Sequence, residues 1–153
     1  MILELKMRML AASIFLWGVS VPDLQSRTVP VQAPVAFAAG GVLLDLVFPS
    51  PVGTTFLFTG FLPGMCLLAI SALGRHSVGA GDGLCLLACG SWIGPEMAAE
   101  LLVLSAVLAG AYGAVCLLLL GKPKDSTFAF LPFMAAGQSI CLAWAACGSG
   151  TVL

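Results

Sequence analysis

LLVLSAVLAGAYGAVCLLLL, residues 101 to 120, decides the fold class. The run carries no charged side chain, and a bilayer core of about 30 Å takes roughly 20 helical residues to cross. A membrane-spanning strand would instead alternate polar and apolar residues over about ten positions. The run is continuous, so it reads as a transmembrane helix. The rest of the chain is of the same kind: 60% of its 153 residues are hydrophobic and 8% are charged, against roughly 25% charged in soluble domains. Mean hydropathy is +1.10. Six Lys and Arg and seven Asp and Glu are too few to cover the outside of a soluble fold of this size. A disordered chain and a coiled coil are excluded by the same composition. A net charge of −1 with no basic stripe excludes a nucleic-acid binder.

Outward from that run, six hydrophobic segments follow one another, at about 7–22, 34–48, 54–73, 83–95, 97–121 and 128–148. The expected architecture is all-α and polytopic, about six transmembrane helices in a single domain over residues 1–153. The first segment follows Lys6 and Arg8 as a signal peptide would. It lacks a clean small-x-small cleavage site, so it is read as a mature helix ending at Pro22. The fourth segment is too short to cross comfortably, which predicts a tilted or broken helix. With six spans, Lys6 and Arg8 lie on one side of the membrane and Arg27, Arg75, Lys122 and Lys124 on the other. The excess places the second side in the cytoplasm and both termini outside.

The six cysteines all fall in apolar segments and form no CxxC pair. Cys85 and Cys89 share a helix face without a partner His, so they read as small packing residues rather than zinc ligands. His76 is the only histidine and sits in a loop. No metal or cofactor is expected.

Acids near membrane depth are costly and point to function. Asp23 and Asp82 flank spans on the predicted cytoplasmic side. Asp45 lies near the opposite face, where it can meet water at the interface, and Asp125 reads as a solvated loop residue. Asp82 stands in VGAGDGLCLLACGSWIG, residues 78 to 94, bracketed by Gly79, Gly81 and Gly83. Glycine there permits close backbone approach. The plainer alternative is a flexible loop with Asp82 at a helix N-terminus.

The segment GAGDGLCLLACGSWIG resembles the GxGD segment of the type IV prepilin peptidases, intramembrane aspartyl proteases that also include the preflagellin peptidases. PDLQSRTVP (22–30) is similar to that family's first catalytic segment, and FAFLPFMAAG (128–137) to its final-span pattern. The three stretches stand in the family's order and spacing, and the resemblance covers essentially the whole chain. The resemblance implies an endopeptidase that removes the leader of prepilin-like precursors at the cytoplasmic face of the inner membrane. Asp23 and Asp82 are its implied catalytic pair, Gly79, Gly81, Arg27 and Pro132 shape the site, and no metal takes part. The implied partners are the precursor and the lipid bilayer. Leu84 stands where the family usually has lysine, and Val31 where it has asparagine. A catalytically degenerate prepilin-binding homologue therefore stays open as an alternative, as does a non-enzymatic transport or assembly subunit. With no CxxC pair, the chain resembles the short forms without the methyltransferase domain.

Overall fold

The structure is a computed structural model and describes residues 2–26, 30–47, 59–73, 79–119 and 129–147. These form five helices: α1 (Ile2–Ser26), α2 (Gln32–Val47), α3 (Leu62–Leu73), α4 (Ala80–Leu119) and α5 (Leu131–Cys147). Among the described residues there is no strand. Two stretches are long and apolar enough to cross a bilayer, Glu4–Gln25 and Ala80–Leu118. The remaining helices are shorter and apolar. Leu73, Leu118 and Trp144 are each at least 80% exposed, which is the outside of a protein whose solvent is lipid.

The fourth and fifth segments of the sequence are one element with a break inside it. Gly94 takes φ 83° and ψ 176°, a backbone conformation essentially confined to glycine. Pro95 follows and suits the first position of a new helix, where its missing N–H is not needed. The chain folds back there. A methyl group built on Gly90 would lie 3.7 Å from the Ala98 Cβ, whereas eight residues of straight helix span about 12 Å. The sequence reading put this turn at 95–97, one residue late. It also ended the first helix at Pro22, but α1 runs through Pro22 to Ser26. Proline's fixed φ is compatible with a helix and removes one hydrogen bond, so α1 continues and carries Asp23 on its last turns. Residues 54–58 of the third segment lie outside the described residues.

The first arm of α4, residues 80–93, is the centre of the bundle. α3 packs against it antiparallel and close. Gly60 meets Gly90, Gly64 abuts the main chain of Leu87, and the Leu68 side chain lies over Gly83. Lipid gives helices no hydrophobic drive to associate, so close packing at small residues takes its place. On the other side Gly41 of α2 lies against Ser91 and Trp92. The Trp92 indole donates to the Phe37 carbonyl at 2.8 Å, and Phe15, Phe37 and Trp92 stack in sequence. α1 and α2 run antiparallel, pairing Phe15 with Phe37 and Arg8 with Asp45. α5 joins α1 through polar contacts: Gln138 Nε2 donates to the Met9 carbonyl at 3.2 Å, and Trp17 Nε1 donates to Ser139 Oγ at 3.1 Å. The buried core gathers Met9, Leu16, Leu86, Ile93, Leu101 and Met134.

Gly94→Ala should lower stability by about 1–3 kcal/mol, because it forces a Cβ into glycine-only backbone space. Gly18→Ala, with open space around it, should leave stability unchanged or raise it by up to about 1 kcal/mol. Thermal unfolding of both variants in one detergent checks the pair, and equal midpoints would remove the special role of Gly94.

Candidate active site

Asp23 leaves α1 three residues before the helix ends, and Asp82 stands in the first turn of α4. Both side chains are buried in the bundle, at 7% and 8% exposure. They come from helices far apart in sequence, yet the two carboxyls lie within electrostatic range of each other. Cys85, one turn further along α4, is fully buried and within range of both. Its i+3 spacing from Asp82 on a helix face was readable in the sequence, where it passed as packing alone. Ser20, one turn before Asp23, is also buried and spends its hydroxyl on the Trp17 carbonyl of its own helix at 3.2 Å.

The glycines around Asp82 divide by function. The Asp82 amide donates to the Gly79 carbonyl at 3.1 Å and closes the turn that starts α4. A side chain at Gly79 would meet the Asp82 carboxyl, with its Cβ 2.9 Å from Oδ2. Gly83 faces the other way, and its Cβ would lie 2.8 Å from Leu68 Cγ. Gly81 is half-buried in the same first turn. So Gly79 gives the carboxyl its room, while Gly83, read in the sequence only as a bracket, gives α3 its approach. Pro132 sits in the first turn of α5. There the amides of Phe133 and Met134 both bond the Phe130 carbonyl, at 3.0 and 3.2 Å, so Pro132 helps begin the helix. Arg27, Arg75, His76, Lys122, Lys124 and Asp125 lie outside the described residues.

Asp45 differs from the sequence reading. It does not meet water: its side chain is 5% exposed, and Oδ1 lies 2.5 Å from Arg8 Nη2. The antiparallel pairing of α1 and α2 carries it inward beside the buried arginine. Arg8 is 15 residues before Asp23 on one helix, about 22 Å along its axis. Among the described residues the buried charges therefore gather at two centres, toward opposite ends of α1. Among the described residues no group of three or more His, Cys, Asp or Glu is arranged to hold a metal ion.

Breaking the Arg8–Asp45 pair should show its burial. Arg8→Met leaves an uncompensated carboxylate and should cost about 3–5 kcal/mol, while the double variant Arg8→Met/Asp45→Leu should recover most of the loss. Unfolding in detergent measures both, and a double variant no better than the single would contradict the pairing.

The sequence pattern of the type IV leader peptidase family matches residues 10–114, which include Asp23, Gly79, Asp82 and the Gly94 turn and stop short of Pro132. A prepilin leader peptidase/N-methyltransferase of Aeromonas salmonicida strain A449 is 28% identical over 145 residues, covering 88% of this chain and 49% of that protein. A second protein of the same description from Aeromonas salmonicida matches equally. The chain thus spans about half the length of these curated relatives. No solved structure shows a significant match. With the family pattern covering well over half of the sequence, the chain belongs to the type IV leader peptidase family.

Proposed function

We propose that this chain is an intramembrane aspartyl endopeptidase that removes the leader of prepilin-like precursors at the cytoplasmic membrane face. Asp23 and Asp82 are its catalytic residues in this reading. One observation carries it: two buried carboxyls, from helices more than fifty residues apart in sequence, lie within electrostatic range of each other at one end of the bundle. Family membership and the description of the Aeromonas relatives as prepilin leader peptidases support it.

Peptide hydrolysis needs a base for water and an acid for the scissile group. Two buried carboxyls within electrostatic range of each other do not both ionise readily, and in this reading one holds a proton while the other does not. The ionised member takes a proton from water as the oxygen attacks the scissile carbonyl. The protonated member donates to the carbonyl oxygen, and the leaving amine then receives its proton from the pair. The two act as a unit and titrate as one. Gly79 leaves the Asp82 carboxyl free of steric contact from its own turn, and the buried Cys85 thiol lies within range of the pair one turn further along α4. No metal is needed for any of these steps.

The reversal at Gly94 gives six helical segments, which we read as six spans with both termini outside and the acids at the cytoplasmic end. The basic residues Arg27, Arg75, Lys122 and Lys124 support that orientation. The substrate is then a precursor whose hydrophobic helix lies in the bilayer, with the leader junction at the level of Asp23 and Asp82.

Asp23→Asn and Asp82→Asn should each lower leader removal by at least about 10²–10⁴-fold, with the double variant little worse than either. Asp125→Asn should keep most activity. Asp45→Asn should reduce the amount of folded protein but not activity per folded molecule. Leader removal in membranes, followed by gel shift and normalised to expression, reads all four. Full cleavage by either the Asp23 or the Asp82 variant rejects the pair. Absence of cleavage by the parent chain on any prepilin from the same genome favours a binding homologue.

Gly79→Val should displace the Asp82 carboxyl and cost about 10²-fold in rate. The same assay tests this, with Gly18→Val, a change into open space, as the control.

A further inference from the structure

The seam between α3 and the first arm of α4 has three contacts, and they differ in kind. A methyl group on Gly60 would stand against the Gly90 carbonyl, and one on Gly64 would meet the main chain of Leu87. At these two points backbone lies on backbone, and nothing between the helices can be thinned. The third contact is looser. A methyl group on Gly83 would lie 2.8 Å from Leu68 Cγ and 2.9 Å from Cδ2, with the Leu68 main-chain nitrogen at 3.1 Å. Here a side chain stands between the two helices.

This third contact is the one beside Asp82. The Asp82 amide donates to the Gly79 carbonyl at 3.1 Å, so the carboxyl is tied to the first turn of the arm and moves with it. A helix turns by about 100° from one residue to the next. The rotation that brings Gly83 to α3 therefore leaves Asp82 on the inner side of the arm, which is also the side of the fully buried Cys85, Leu86 and Cys89. Among the described residues α3 packs closely on α4 only, whereas α1 packs on α4 and α5. A lean of the arm relative to α3 thus changes the approach of Asp82 to Asp23, which α1 carries. With the other two contacts rigid, the thickness of what lies between positions 68 and 83 sets that lean.

We propose that Leu68 is a positioning residue for peptide hydrolysis: its side chain is the spacer that sets the approach of the Asp82 carboxyl to Asp23. This rests on Asp82 being a catalytic residue. Leu68 acts through Gly83 and the turn that holds Asp82. Catalytic geometry tolerates little displacement, and a shift of about 1 Å can cost about 10²-fold in rate. A spacer, unlike an ordinary packing residue, has an optimum thickness. Leu68→Ala thins the contact and Gly83→Ala thickens it. Each alone misplaces the carboxyl, and the two together offset one another.

Leader removal by the full chain in detergent is measured with one prepilin, as kcat and KM per folded molecule. Leu68→Ala and Gly83→Ala should each lower kcat by about tenfold or more and change KM by less than about threefold. Leu68→Met, which conserves volume, should keep most of kcat. The double variant Leu68→Ala/Gly83→Ala should turn over faster than either single. Leu73→Ala, at a position 86% exposed, should match the parent. A parental kcat in Leu68→Ala, a loss that lies wholly in KM, or a double variant slower than both singles overturns the spacer. If Gly83→Ala does not fold, Leu68→Ala against Leu68→Met carries the test. Full cleavage by Asp82→Asn would instead reject the catalytic pair, so the two failures are told apart.

Discussion

The contact between α3 and the first arm of α4 sets where Asp82 can be. Three points hold it, at Gly60 with Gly90, Gly64 with Leu87, and Leu68 with Gly83. They lie along the arm, so they fix both its height and its rotation. Asp82 is one residue from the last of them. In lipid there is no gain in withdrawing apolar surface from water, so such close backbone approach is what keeps two helices in one register. Loosening this seam would let the arm rotate. A rotation of one residue, about 100°, carries Asp82 away from Asp23.

Charge is distributed on the same frame. Buried charges must meet partners or share protons, since burial in a low-dielectric interior is otherwise prohibitive. The bundle uses both solutions and keeps them at opposite ends of α1. At one end Arg8 pairs with Asp45 and Glu4. At the other, two buried acids lie within electrostatic range of each other. Like charges held near each other in a low-dielectric interior oppose one another, and sharing a proton relieves them. The ion pair at the far end is satisfied by contrast and suits a structural role.

Much of this was legible in the sequence, for physical reasons. Continuous apolar runs fixed helices and a membrane, and the count of segments anticipated the break inside α4. The opposite locations of Asp45 and of the Asp23–Asp82 pair followed from span topology alone. What escaped was three-dimensional. Arg8 looked like a flanking basic residue because its partner is 37 positions away, on a helix whose rotation the sequence does not display. Pro22 looked like a helix end because proline usually is one, and its tolerance in the last turns of α1 depends on tertiary support. Gly83 could not be told from Gly79 without knowing which face of α4 meets α3.

The glycines of that seam are not equivalent in what they allow over evolutionary time. Gly83 is pressed first by a side chain, that of Leu68, with the Leu68 main-chain nitrogen behind it at 3.1 Å. A lineage in which position 68 first became smaller could afterwards accept a methyl group at 83 with a small shift of the helices, and the two positions can drift as a pair. Gly60, Gly64 and Gly90 are pressed by main chain, which no substitution shortens. At those three positions no order of single steps opens a path away from glycine while the helices keep their distance. The seam therefore contains one negotiable position and three fixed ones.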